Sequence, residues 1–381
     1  MSEVRPAGAA DFETPPLVEH VLHVADADVF ARCGPMFLQV LPALEATGVH
    51  AGFLTDDNAA AARVAATGLE ANAERLGGWR GWHAADWLAA QFSSAPRLVH
   101  LWGTGGLRRI EGWAAANAVP VIVTALSLAD VRQLRYSRAP GQRHVSVAAQ
   151  ALAAAAPPPC RTIPLAIAPV LGRPGPPAGA HVCTALAISP IGHRGGPELL
   201  VEAVAQLQQR GCELQVGLIG QGPGTSALWS RIRARGVQDR VCVVSDGAAA
   251  GGPRLWEKVL PEVDICVVPA CEREISIPAL LAMALGKVVI ASRDQLADWF
   301  VEDRTAWLYT PGSVVELAYL LGRAIEQPHQ ADELRRSAAA YVRTQHSIGE
   351  LVAELIGLYT SALGEAAPAA PRPERGGHEA S

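Results

Sequence analysis

The stretch that decides the fold is VDICVVPACEREISIPALLAMALGKVVIAS, residues 263–292. Val263 to Pro269 is an apolar run of strand length, rich in β-branched residues and closed by proline. "CERE" follows as a short acidic loop. Ile277 to Leu285 has helical composition and stops at Gly286, and Val288 to Ala291 is a second strand. Strand, loop, helix and strand in that order predict a βαβ unit. Its loop lies at the carboxyl ends of parallel strands, where α/β proteins bind ligands.

The same alternation extends in both directions. Upstream, "HVCTALAIS", "CELQVGLIG" and "DRVCVVS" read as strands, with "GPELLVEAVAQLQQRG", "TSALWSRIRARG" and "RLWEKVLPEV" as helices between them. In the first half, "LVEHVLHVA" (17–25), "HAGFLT", "RLVHLW" (97–102) and "VPVIVTA" (119–125) are strands. "MFLQVLPALEATG", closed by Gly48, and "LRRIEGWAAANA" are helices. Apolar strands separated by helices mean parallel sheets covered on both faces. Proline is excluded from central strands and tolerated poorly inside helices. The Pro- and Gly-rich "PPPCRTIPLAIAPVLGRPGPPAGA" therefore predicts a linker over 157–180.

These readings give an α/β chain of two Rossmann-like parallel-sheet domains facing across a cleft. The expected boundaries are a disordered tail over 1–16, a first domain over 17–165, the linker, and a second domain over 181–345. An amphipathic crossover helix over 346–363 and a second disordered tail over 364–381 complete the chain. Two domains suit 381 residues, since single cores stop growing near 250–300 residues.

Half of the residues are hydrophobic and 18% are charged, an ordinary globular composition. A net charge of −5 gives no electrostatic basis for a nucleic-acid partner. The 7 cysteines show no CxxC and no zinc spacing, so free thiols and no metal are expected. No signal-peptide h-region opens the chain, and no apolar run reaches the roughly 18 residues of a membrane span. A cytoplasmic location without an integral membrane segment is the expectation.

The second half resembles the nucleotide-binding domain of retaining glycosyltransferases with the GT-B fold, the group 1 or family 4-like transferases. "GPELLVEAVAQLQQRG", "LQVGLIGQGP", "VQDRVCVVSD", "LPEVDICVVPACERE", "PALLAMALGKVVIAS" and "FVEDRTAWLYTPGSVVELAYLL" carry the resemblance, in order, over 183–323. "HVLHVADADVFARCGPMFLQVLPALEATGVH", "LVHLWGTGG" and "CRTIPLAIAP" extend it into the first half. It implies transfer of a sugar from a nucleotide diphosphosugar to an acceptor, with retention. No DxD motif stands in a suitable loop to argue for a metal, and the nucleotide sugar is a co-substrate, so no cofactor is expected. The acceptor is an unidentified sugar, lipid-linked or small molecule.

The resemblance also implies where the donor binds. The family has Glu in the loop after the Pro269-type strand end and again eight residues on. Here these positions are Arg273 and Leu281, with Glu272 and Glu274 flanking the first, so the E-x7-E pair is degenerate. Leucine accepts no hydrogen bond. Glu272 or Glu274 then either reaches the sugar or belongs to a solvated loop; Ser276 shares that loop as a donor-binding candidate. The family's Arg and Lys for the diphosphate fall on Pro190 and Gly195 of "SPIGHRGGPELL". Arg194, with the amides of Gly195 and Gly196 at a helix start, is the replacement candidate; the alternative is a surface arginine.

"GQGPG" (220–224) places Gly220 and Gly222 where the chain would pass the nucleotide, although a tight turn alone explains such glycines. In the first half, Gly34 of "ARCGPM" occupies the family's glycine position. His100, ending a strand, is read either as a cleft residue or as a satisfied structural histidine. Catalytic candidates are therefore His100, Glu272 and Glu274. The competing functional reading is an inactive homologue that acts as a binding or scaffolding partner, because Pro190, Gly195, Arg273, Leu281 and Leu126 stand where polar groups are expected.

Overall fold

The computed structural model describes residues 20–74, 76, 92–139, 141–168, 182–192, 196–245, 254–269 and 274–365. The two tails, apart from Gly364 and Glu365, and most of the Pro/Gly-rich stretch lie outside the described residues, as do Arg194, Gly195, Cys271, Glu272 and Arg273.

The first sheet contains β1 (His20–Ala25), β2 (His50–Thr55), β3 (Ala71–Ala73), β4 (Leu98–Trp102), β5 (Val121–Ala125), β6 (Arg143–Val147) and β7 (Cys160–Thr162). Its order is β3-β2-β1-β4-β5-β6-β7, and every pairing is parallel. Helices α1 (Ala27–Glu45), α2 (Asn58–Ala65), α3 (Leu107–Ala116), α4 (Leu128–Tyr136) and α5 (Gln150–Ala153) belong to this half. The second sheet contains β8 (Cys183–Ile188), β9 (Leu214–Ile219), β10 (Val241–Val244), β11 (Ile265–Val268), β12 (Val288–Ser292) and β13 (Trp307–Tyr309). Its order is β10-β9-β8-β11-β12-β13, again all parallel. With it come α6 (Pro197–Gln209), α7 (Thr225–Arg235), α8 (Leu255–Val259), α9 (Pro278–Ala284), α10 (Val314–Glu326) and α11 (Pro328–Gln345). The last helix, α12 (Ile348–Glu365), returns to pack on α1 of the first half.

Two separate parallel sheets with flanking helices are the α/β architecture the strand pattern predicts. In each sheet the strand order reverses once, between β1 and β4 and between β8 and β11. At such a switch point the two neighbouring connections leave in opposite directions and open a crevice at the carboxyl ends. Glu274 and Ser276, after β11, lie at the second of these.

Three expectations need correction. Residues 157–168 are not linker: Cys160–Thr162 is a strand, and Ile163, Leu165, Ala166 and Ile167 are buried behind it. The prolines are tolerated because they precede an edge strand, where no partner needs their missing N–H. The helix expected from Met36 instead begins at Ala27, directly after β1, and carries Pro35 and Pro42 in its interior. Asp26 caps it by accepting from the Val29 N–H at 2.8 Å. The final helix runs two residues past the expected tail boundary, through Gly364 and Glu365.

The interface between the halves is largely apolar. One apolar cluster continues from the first sheet, with α12 laid on it, into Trp256, Ile275, Leu280 and Leu281 of the second half. A second cluster, including Leu200, Val204, Leu317 and Leu321, fills the second domain. At the edge of the interface, Arg63 of α2 makes a two-pronged bond to Glu257 of α8 at 2.8 and 2.6 Å. Their side chains are only 8% and 12% exposed. The six described cysteines are free thiols. Among the described residues no helix is long and apolar enough to cross a membrane.

Removing one partner of so buried a pair leaves an uncompensated charge, which costs about 3–5 kcal/mol. Arg63→Ala is therefore expected to lower unfolding stability by about that amount in urea titrations. The apolar pair Arg63→Met with Glu257→Leu is expected to recover most of it. A loss below about 1 kcal/mol in the single variant would mean the halves do not depend on this contact.

Candidate functional site

The carboxyl ends of β8 and β11 enclose a small cavity. Its walls are Ile188, the β11 end from Cys266 to Pro269, Glu274 and Ser276 of the acidic loop, Pro278 and Ala279 of α9, and Gln295, Ala297 and Phe300 after β12. The space inside is about 50 Å³. Pockets that take drug-sized ligands are usually about 300–1,000 Å³. The space is therefore narrow in this conformation, and the loop over 274–277 contributes to its wall.

The loop is tied to the other domain. The Ile275 N–H donates to the Leu126 carbonyl at 2.7 Å, and the Ile277 N–H donates to the Arg32 carbonyl at 3.3 Å. Arg32 Nη1 donates to the Ile275 carbonyl at 3.0 Å, and its Nε lies 3.4 Å from Glu274. Ser127 and Glu274 form an antiparallel bridge. On the first domain the receiving loops are themselves fixed by buried Asp130. Its carboxylate accepts from Thr104 N–H at 3.0 Å, Thr104 Oγ1 at 2.7 Å, Leu126 N–H at 3.0 Å and Ser127 Oγ at 2.8 Å.

Of the expected site residues, the structure brings Glu274 and Ser276 together in one cavity wall. Glu274 is exposed and Ser276 half-buried. Gly220 and Gly222 lie in the turn after β9, packed on the loop after β8. A Cβ on either would stand 1.9 Å from a backbone oxygen, of Ser189 for Gly220 and of Ile191 for Gly222. The neighbouring loop alone therefore demands glycine at both. Gly196 is buried as the N-cap of α6, where Pro197 takes the first helical position. Pro190 is exposed.

Gly34 differs from expectation, and His100 takes the structural one of its two readings. Gly34 is inside α1 rather than in a loop: the helix starts seven residues earlier at Ala27, and a Cβ on Gly34 would press on the Phe30 ring at 3.2 Å. His100 does not face the cleft. It is fully buried, with Nδ1 paired to Tyr359 Oη of α12 at 2.8 Å and Nε2 to Thr124 Oγ1 at 2.7 Å. Thr124 continues the chain to Ser146 at 2.7 Å. The return of α12 over the sheet covers His100, and strand alternation alone does not reveal a covering helix. Trp102 stacks on it at 4.3 Å as part of the core. Leu281 is also core, 6% exposed within the interdomain cluster. Cys266, although it lines the cavity, is buried and its thiol is pushed up to about 12, so it supplies no thiolate.

The sequence reading passed over two groups. Arg32 is a half-buried cation facing the site loop, hidden in the "ARCGPM" stretch that was read for its glycine. Asp26 and Asp28 form a D-A-D run at the carboxyl end of β1. Burial raises the Asp26 pKa, and Asp28 and Asp56 add to this. Among the described residues no group of three His, Cys, Asp or Glu side chains is placed to hold a metal.

Comparison with known proteins agrees with this geometry. Residues 183–327 match the family described as glycosyl transferases group 1. That match lies in the second domain, and the two parallel-sheet domains have the GT-B arrangement of the solved structures named below. It is 25% identical over 169 residues to an alpha-D-kanosaminyltransferase of Streptomyces kanamyceticus, covering 43% of this chain and 42% of the relative. It is 27% identical over 177 residues to an MMP alpha-(1->4)-mannosyltransferase of Mycolicibacterium hassiacum, 45% and 41% of the two chains. The match thus spans less than half the length of these curated relatives. In fold, it superposes on Anabaena HepE, solved with UDP-glucose, with a TM-score of 0.72 at 15% identity over 90% of this chain and 99% of that one. The Thermosynechococcus elongatus sucrose-phosphate synthase gives 0.67 at 18% identity, over 91% and 99%.

The buried histidines set an acid limit on stability. Burial holds His100 well below the ordinary imidazole value, and burial with nearby His20 takes His23 to about 3. Both folded values lie below the unfolded value near 6.5, so in this window the unfolded chain binds protons the native chain refuses. Their stabilising contribution is full above about pH 6.5 and is lost as pH falls, by about 1.4 kcal/mol per unit for each histidine. The urea midpoint is expected to drop steadily between pH 6.5 and 4.5, and His23→Leu to flatten that decline. A midpoint independent of pH across this range would refute the assignment.

Proposed function

We propose that this chain is a glycosyltransferase that moves a sugar from a nucleotide diphosphosugar to an acceptor, with retention at the anomeric carbon and without a metal. The C1–O bond to the diphosphate breaks, a C1–O bond to the acceptor oxygen forms, and the acceptor's hydroxyl proton is released. The observation that carries this reading is the cavity at the β8/β11 switch point, within the family match and walled by a carboxylate and a hydroxyl. Glu274 and Ser276 are suited to hold sugar hydroxyls, since a carboxylate accepts charge-assisted hydrogen bonds. The names of the relatives, a kanosaminyl and a mannosyl transferase, and the UDP-glucose bound by HepE support a nucleotide-sugar donor. Glu272, Arg273, Arg194, Gly195 and Gly196 are assigned to the same donor site from the sequence.

A donor is far larger than 50 Å³, so its entry requires the loop over 274–277 to part from Leu126 and Arg32. A second reading, a nucleotide-binding or scaffolding homologue without catalysis, is favoured by one specific feature. Leu281 belongs to the interdomain core, so the position of the second carboxylate of the E-x7-E pair offers no acceptor.

Calorimetry with UDP and GDP, beside transfer assays with and without EDTA, separates the two. Under the first reading one diphosphate binds and slow, EDTA-resistant transfer gives a product with the donor's anomeric configuration. Arg194→Ala is expected to weaken diphosphate binding about tenfold, the scale of a hydrogen bond to a charged group at about 1.5–3 kcal/mol. Binding without transfer would establish the second reading. No binding of either nucleotide would favour a scaffolding role and remove the transferase reading.

A further inference from the structure

A nucleoside diphosphate brings at least two negative charges into the crevice, and a site that holds it normally answers with a cation. The walls of the β8/β11 cavity contain no lysine or arginine among the described residues. Among the described residues, a cation bonded to the cavity's own loop comes from the other domain. Arg32, in the second turn of α1, extends to Glu274 at 3.4 Å and to the Ile275 carbonyl at 3.0 Å. Its side chain is 17% exposed, so the guanidinium is partly withdrawn from water, where charge interactions are stronger.

Its donor inventory is only partly used. Nε points to the Asp28 carbonyl at 3.3 Å and to Glu274, and Nη1 serves Ile275. Nη2 makes no hydrogen bond among the described residues. The backbone on either side is fixed: the Arg32 carbonyl accepts from Ile277 N–H, and the helix carrying it is capped at Asp26. Glu274 also shares the cavity wall with Ile188 at the end of β8. Arg32 itself is not on the cavity wall but is bonded to Glu274, which is, and so stands at its edge. The planar guanidinium suits two phosphate oxygens at once.

We propose that Arg32 binds the diphosphate of the donor from the opposite domain, taking the place of the cation that Pro190 and Gly195 do not supply. The same arginine then has two partners in turn. Without donor it closes the crevice on Ile275 and Glu274; with donor it exchanges part of that contact for phosphate oxygens and keeps the two domains together through the ligand. This rests on the donor reading above.

The test compares each diphosphate with its nucleoside, UDP with uridine and GDP with guanosine, by calorimetry at low and at 0.5 M salt. The wild type is expected to prefer the diphosphate by tenfold or more, less so at high salt. Arg32→Gln is expected to remove most of that preference while leaving nucleoside affinity unchanged, and Arg32→Lys to restore part of it. Thermal melts of both variants check that the domains remain folded. If Arg32→Gln weakens nucleoside and diphosphate by the same factor, or changes neither, Arg32 is a structural clasp only and the proposal is overturned. The same holds if the preference disappears in Arg194→Ala but persists in Arg32→Gln. A wild type that binds none of the four ligands rejects the donor reading itself, a distinct result.

Discussion

The backbone of Ile275 is held from both directions by the other domain: its N–H by the Leu126 carbonyl, its carbonyl by Arg32. Much else follows from this contact. It sets the loop between β11 and α9 against the ends of β5 and α1, and so reduces the switch-point crevice to a space of about 50 Å³. It also explains why Asp130 is buried with four hydrogen bonds to its carboxylate. The loops after β4 and β5 must hold a fixed shape before they can receive a strand-like partner, and a carboxylate that accepts several backbone and hydroxyl donors supplies that stiffness. Closure is thus built from main-chain bonds on prepared surfaces, with one arginine fork as its adjustable part.

The rest of the interface limits how such a crevice can open. Apolar residues run without a break from the first sheet through α12 to Leu280 and Leu281, and Arg63 is locked to Glu257 at the far edge. Parting whole domains would expose this surface, at roughly 25 cal/mol for each Å² of apolar area. Moving the loop over 274–277 breaks a few hydrogen bonds, each worth about 0.5–1.5 kcal/mol net, and exposes only the two buried side chains of Ile275 and Ile277. The smaller motion is therefore the economical one, and a ligand that offers Arg32 new partners offsets part of it.

The fold was legible because parallel strands covered on both faces must be apolar along their length, and runs such as "VDICVV" and "VPVIVT" meet that demand without ambiguity. What escaped were elements with no such demand. Cys160–Thr162 is a three-residue edge strand behind three prolines, and Ala71–Ala73 is shorter than any pattern. The start of α1 was readable in principle, since Asp26 followed by acidic Asp28 is a helix-start signature; Pro35 and Pro42 masked it. For the site, the sequence indicated the loop but not what covers it. His100 looks like a cleft residue until α12 returns, because burial by a distant helix leaves no trace in a strand's own alternation. Arg32 was invisible for the same reason: its partners are more than 240 positions away.

Leu281 shows how a changed site differs from a damaged one. If leucine had merely replaced an acid on an open wall, its side chain would border the cavity. Instead it is 6% exposed and continuous with the apolar cluster that joins the domains, while Ala279, two residues before it, lines the space. The α9 face that would offer an acceptor has been given to packing, and an ionised group returned there would be desolvated without a partner. Among the described residues the hydrogen-bonding side chains on the cavity wall are Glu274, Ser276 and Gln295, with Arg32 bonded to Glu274 from the first domain. On the donor reading proposed above, a diphosphate at this wall meets Arg32 from the opposite domain.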